Sequence, residues 1–162
     1  ELEGLVKFIP NRGAIVQGIT LKDIEDIYTI RMMIEGLAAR WAAEKITPEE
    51  LKELQEIVDL EEFYTARGDA EQLLKLDSRF HETLFNASKS RPLKHMLSMF
   101  HHYTQRARSI SLAAPGRPDE TFREHKAILE AIIEKDAEKA QILTTQHIKN
   151  VILNLDKQNI NV

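Results

Sequence analysis

An all-α fold, an antiparallel helical bundle of about six helices preceded by a short β-hairpin, is what this sequence predicts. Three observations carry it. From Thr20 onward apolar residues recur at threes and fours with no strand-like alternation. The segments so marked are joined by short connections rich in Pro, Gly and capping residues. Only the first nineteen residues show β-branched runs around a turn. No internal repeat or low-complexity segment is evident.

The hairpin comes first. Leu5 to Ile9 and Ala14 to Val16 flank a turn of Pro10, Asn11, Arg12 and Gly13. Two strands alone are marginal in water, so this element must lean on something else. Thr20 then caps a helix expected over about Leu21 to Lys45, with Ile24, Ile27, Ile34, Leu37, Ala38 and Trp41 on its apolar face. Thr47, Pro48 and Glu50 supply an N-cap, a first-turn proline and a capping box, and the second helix runs to about Ala66. Arg67-Gly68-Asp69 reads as a glycine turn followed by an Asp cap. The third helix covers about Ala70 to Ala87 and the fourth about Pro92 to Leu112. Pro115, Gly116 and Pro118 mark the clearest loop. Two last helices are expected over about Asp119 to Glu134 and Ala137 to Asn154.

With 162 residues, 43% of them hydrophobic and 30% charged, the chain has enough apolar material for one domain with a sizeable core. It contains no cysteine, so disulfides, thiolate metal sites and cysteine nucleophiles are excluded. No apolar run approaches the length of a membrane span and no signal-peptide pattern is present, so a cytoplasmic location and no membrane partner are expected. A formal net charge of −4 argues against gripping nucleic acid over the whole surface.

Four polar residues fall where a helical protein normally buries leucine. Asp77 and His81 are one turn apart within the series Leu73, Leu76, Phe80, Leu84. His125 lies among Phe122, Ile128, Leu129 and Ile132, and His147 among Leu143, Ile148 and Val151. Unsatisfied, each buried polar group would cost roughly 1 to 3 kcal/mol, and a divalent metal satisfies all four together. Three neutral imidazoles and one carboxylate leave an octahedral ion two positions for water or a small carboxylate. Zinc is the first expectation, with nickel or manganese as alternatives. His95 and His102 lie off the apolar stripe and read as solvated, while His101 could line a cavity but has no ligand pattern. Arg31, near the inner face of the first helix, either pairs with Glu35 or grips an acid, and Arg108 on the fourth helix could serve similarly.

The hairpin GLVKFIPNRGAIV resembles the wing that ends the winged helix-turn-helix domain of GntR-type bacterial transcription regulators. The rest is similar to the all-helical effector domain, FCD, of their FadR subfamily. DIYTIRMMIEGLAARWAA resembles its first helix, LDSRFHETLFNAS its Asp-x-x-x-His helix, and FREHKAILEAIIEKDAEKAQILTTQHI its final helix pair. The resemblance implies a wing fragment over 1–19, a ligand- and metal-binding helical domain over 20–156 and a tail over 157–162. It implies the metal ligands Asp77, His81, His125 and His147, favours Arg31 as an effector contact, and places Arg12 where wing residues approach DNA. The DNA-reading helix of the family is not in this sequence. The expected partners are therefore a small organic-acid effector, a second copy in a homodimer, and operator DNA only for an intact protein.

The favoured function is effector sensing in a transcription regulator, not catalysis. A metal-dependent helical enzyme, a hydrolase or lyase acting on a small acid, is the rival. It would want a general base beside the open positions, and no inward carboxylate beyond Asp77 presents itself in the sequence. A metal acting purely as a staple would want a closed tetrahedral shell.

Overall fold

The computed structural model describes residues 6–10, 13–16 and 19–158. Strands β1 (Val6–Ile9) and β2 (Gly13–Val16) form an antiparallel two-stranded sheet in which Val6 faces Val16 and Ile9 faces Gly13. Among the described residues seven helices follow: α1 (Leu21–Lys45), α2 (Pro48–Arg67), α3 (Ala70–Ala87), α4 (Arg91–Tyr103), α5 (Gln105–Leu112), α6 (Arg117–Ile133) and α7 (Ala137–Lys157). The fold is an all-α bundle with one hairpin.

The caps account for most of the boundaries. Thr20 accepts from the Asp23 backbone N–H while the Asp23 carboxylate accepts from the Thr20 backbone, and Thr47 and Glu50 repeat this reciprocal arrangement at α2. Gly68 ends α2 at φ 67°, a left-handed conformation that a side chain would disfavour, and Asp69 caps α3 by accepting from Gln72.

Helix α7 runs three residues past the expected Asn154, to Lys157, and two further boundaries differ from expectation by more than one residue. The single helix expected over Pro92 to Leu112 is broken at Thr104. Its hydroxyl donates back to the Phe100 carbonyl at 3.0 Å and accepts from Arg31 Nη1 at 2.8 Å. A threonine bonded back into the preceding turn bends a helix, and here the bend seats α5 separately. At the other site, α6 starts at Arg117 instead of Asp119, because Pro118 is compatible with a first helical turn and Gly116, at φ 77°, makes the approach.

Helix α1 packs along α7, α2 against α3 and α6, and α6 against α7. The most buried stretch of α1 is a face of alanines, Ala38, Ala39, Ala42 and Ala43. Gly36 extends this close approach: a Cβ there would fall 2.4 Å from Thr145 Oγ1. The larger apolar core includes Leu54, Ile57, Phe80, Leu84, Leu97, Ile128 and Ile132. A second cluster gathers Ile24, Tyr28, Ala107, Ile148, Val151 and Leu155 from α1, α5 and α7. Among the described residues, no helix is long and apolar enough to cross a membrane.

Candidate metal centre

Asp77 and His81, one turn apart on α3, meet His125 from α6 and His147 from α7. All four are buried, and one ligand atom from each lies within 4.8 Å of the other three. Bond lengths of about 2.0 to 2.2 Å to a central ion put ligand atoms roughly 3 to 4 Å apart, so the set is close to the right size. His81 Nε2 and His147 Nε2 face each other at 3.3 Å. Asp77 Oδ1 lies 3.8 Å from His81 Nε2 and 4.0 Å from His125 Nε2. His125 Nε2 is buried without a hydrogen-bond partner. Converging lone pairs around a carboxylate oxygen call for a cation, and the donor set fits one.

The outer nitrogens strengthen the case. His125 Nδ1 donates to both oxygens of Glu61, at 2.9 and 3.0 Å, and His147 Nδ1 donates to Glu124 Oε2 at 2.7 Å. His81 Nδ1 lies 3.1 Å from Glu35 Oε2. An ionised carboxylate can only accept, so Nδ1 carries the proton where it is bonded this way, leaving Nε2 as a lone pair turned inward. Phe80 stacks on the His125 ring at a centroid distance of 3.9 Å and fixes its plane.

Buried arginines hold the carboxylates. Arg31 Nε pairs with Glu35 at 2.5 Å. Arg117 makes a two-pronged pair with Glu124, Nη1 to Oε1 at 2.9 Å and Nη2 to Oε2 at 2.7 Å, while Asn150 also donates to Glu124. Arg108 Nη1 donates to Asp77 Oδ2 and to Ser78 Oγ. Asp77 thus divides its oxygens, one toward the imidazoles and one on a guanidinium.

These neighbours set the protonation states. Burial pushes the Asp77 carboxyl upward, but Arg108, His81 and His125 outweigh it and hold its pKa well below the ordinary range. Burial likewise opposes ionisation of Glu35 and Glu124. Arg31 and His81 keep Glu35 low, and bonds from His147 and Arg117 bring Glu124 down to about 2. Burial lowers His147 to about 4 despite Glu124, with His125 and His81 adding to the drop. In His125 burial is overcome by Glu61, and the pKa is raised.

Residues 26–150 match the FCD domain family. The chain belongs to it. It is an FCD domain of the GntR/FadR type. It is 29% identical over 149 residues to the HTH-type transcriptional regulator YdhC of Bacillus subtilis, covering 91% of this chain and 65% of that protein. It is 24% identical to the HTH-type transcriptional repressor RspR of Escherichia coli, with the same coverage of each. The chain therefore spans about two thirds of the length of these relatives, slightly under in each case. A solved metal-free FCD domain superimposes with a TM-score of 0.71 at 25% identity, over 87% of this chain and 96% of that one. The naming of these relatives as regulators and repressors points away from an enzyme.

In this FCD domain the four polar residues singled out in the sequence come together. Arg31 and Arg108 border a tight cavity beside them, with Arg117, Ser111 and Thr121. The cavity offers about 10 Å³, room for roughly one water-sized group. Both readings of Arg31 have a basis, since it lines the cavity while paired with Glu35. His95 and His102 are exposed. His101 is buried with neither ring nitrogen partnered, 5.2 Å from the His81 ring, and burial together with Arg108 holds its pKa well below the usual value. Arg12 lies outside the described residues.

The absence of inward carboxylates expected from the sequence needs correcting: Glu35 and Glu61 are buried and Glu124 nearly so. Glu61 follows Val58 and Ile57 by three and four residues, so a helical stripe drawn through α2 would have found it. Glu124 and Arg117 left no such signal, because Glu124 is adjacent to His125 in sequence and reaches His147 only through the packing of α6 on α7. These carboxylates are engaged with the outer imidazole nitrogens and with guanidinium groups, an arrangement that supports ligands instead of supplying a base.

Proposed function

We propose that this FCD domain is the effector-sensing part of a bacterial transcription regulator. It holds a divalent metal through Asp77, His81, His125 and His147, and a small carboxylate metabolite at the metal on the side bordered by Arg31 and Arg108, where the cavity of about 10 Å³ must widen to admit it. Zinc suits three imidazoles and one carboxylate, and nickel or manganese are the alternatives. The observation that carries the reading is the bonding of His125 and His147 through Nδ1 to Glu61 and Glu124, with Glu35 3.1 Å from the Nδ1 of His81, which leaves the Nε2 atoms for the side of Asp77. Metal and acid would bias the packing of α3, α6 and α7 and so the placement of attached DNA-binding domains in a homodimer on operator DNA.

Metal analysis of the purified protein tests this. About one divalent ion per chain is expected, lost in the doubly substituted His125→Ala, His147→Ala variant, and chelation should lower the melting temperature. Full metal occupancy in that variant would refute the ligand set. A metal-bound oxygen supplied by an added acid, in addition to that of Asp77, seen by X-ray absorption, would distinguish a sensor with open positions from a closed staple.

A further inference from the structure

The chamber around the four candidate ligands is closed. Asp77 is 5% exposed and His81, His125 and His147 are 2% or less, and the cavity beside them has room for roughly one water. An ion or a small acid therefore reaches the centre only if one wall moves.

Among the described residues five helices line that cavity, and they are not equally hard to displace. Helices α1, α3, α6 and α7 have 25, 18, 17 and 21 residues, and the last three bury Phe80, Leu84, Ile128, Ile132 and Ile148. Helix α5 has eight residues. Its buried side chains are Ala107, Arg108, Ser111 and Leu112, and only the last is a large hydrocarbon. Gln105, Arg106 and Ser109 on its outer side are exposed. Hydrophobic stabilisation follows the apolar area buried, so α5 is the part of the wall that separates most easily.

Both ends of α5 suit a pivot. The chain breaks at Thr104, where α5 begins without a side-chain cap bond, and beyond its far end Pro115 precedes Gly116 at φ 77°. What seats α5 is largely polar. Arg108 Nη1 donates to Asp77 and Ser78, and Asn154 Nδ2 on α7 donates to the Ser111 carbonyl at 3.1 Å and its hydroxyl at 2.9 Å. Such bonds exchange for bonds to water with little net change. Two buried groups gain by that exchange: Arg108 Nε and Tyr28 Oη, the latter in the same cluster as Ala107, have no partner among the described residues while α5 is seated.

We propose that α5 is the gate of this chamber, swinging out as a unit between Thr104 and Gly116 to let metal and ligand pass. This rests on the metal-sensor reading and supplies its route of exchange. The latch is tied to the centre itself, because Arg108 leaving with α5 frees an oxygen of Asp77.

The test uses the full chain. It has no cysteine, so Ser111→Cys, Asn154→Cys introduces a single thiol pair joining α5 to α7 where the native side chains touch. Helicity and zinc content of every variant are measured first. In metal-free wild type, hydrogen exchange read by mass spectrometry should show α5 amides exchanging at least about tenfold faster than those of α3 and α6. Oxidising the thiol pair should suppress that exchange and slow zinc transfer to a chelator at least about tenfold relative to the same variant reduced. Asn154→Ala undoes one latch, leaves all four ligands in place, and should raise both rates. Amides of α5 as protected as those of α3 and α6 overturn the gate. So does zinc transfer at equal rates from oxidised and reduced protein, which would put the exit elsewhere. Should the double variant fail to fold or to oxidise, Asn154→Ala decides, and unchanged zinc transfer in it overturns the proposal. A wild-type protein that takes up no zinc overturns the metal reading instead, while hydrogen exchange still decides whether α5 opens.

Discussion

Replacing Glu61 by Gln isolates the support of one metal ligand. The Glu61 carboxylate contacts His125 Nδ1 through both oxygens at 2.9 and 3.0 Å, and neither side chain is more than 3% exposed. A hydrogen bond to a charged group contributes about 1.5 to 3 kcal/mol, a neutral one about 0.5 to 1.5. Glutamine keeps the shape and one acceptor, so the loss is about 1 to 2 kcal/mol, or roughly five- to thirtyfold in metal affinity. Competition with a fluorescent chelator at pH 7.5 would measure it. A pH series of the metal-free protein adds a signature. Glu61 raises the folded pKa of His125 above its ordinary 6.5, so this pair's contribution to stability is complete below pH 6.5 and fades as pH rises through the folded value. The stability gap between wild type and Glu61→Gln should accordingly be widest below pH 6.5 and shrink toward alkaline pH. A folded variant with metal affinity within twofold of wild type would refute the argument that Glu61 orients His125 for a metal.

Arg31→Ala leaves Glu35 buried without its guanidinium, so a loss of about 3 kcal/mol in urea denaturation is expected, in the range for breaking a buried pair. Gly36→Ala should cost about 1 to 3 kcal/mol, since the added methyl meets Thr145 Oγ1 at 2.4 Å and the Gln141 carbonyl at 3.0 Å and must push α1 from α7; an unchanged melting temperature would contradict the close packing. His147, held at about 4, contributes stability that is present above pH 6.5 and lost as pH falls toward 4, because the unfolded chain takes up the proton first. The urea midpoint of metal-free protein should drop across that window, and a His147→Gln variant should show a smaller drop.

The helical periods and the capping signals settle the bundle before any tertiary contact is known. Thr20, Thr47, Gly68 and Asp69 act locally, within three or four residues, and so the ends of α1, α2 and α3 follow from neighbours alone. The candidate ligands were legible for a related reason: Asp77, His81, His125 and His147 each interrupt an apolar stripe on its own helix, and a stripe is a one-dimensional pattern. What the stripe cannot carry is the partner. The break at Thr104 depends on Arg31, 73 residues away, and the orientation of His147 depends on Glu124, 23 residues away on another helix. Arg117, last residue before a proline, has nothing in its neighbourhood to mark it as buried. Hydrogen bonds between helices have no sequence period, because their partners are selected by the crossing of α1, α6 and α7 and not by spacing along any one of them. Sequence alone therefore named the inward-facing donors, and tertiary packing decided which acids hold them, which guanidinium groups hold those acids, and which N–H groups are left free.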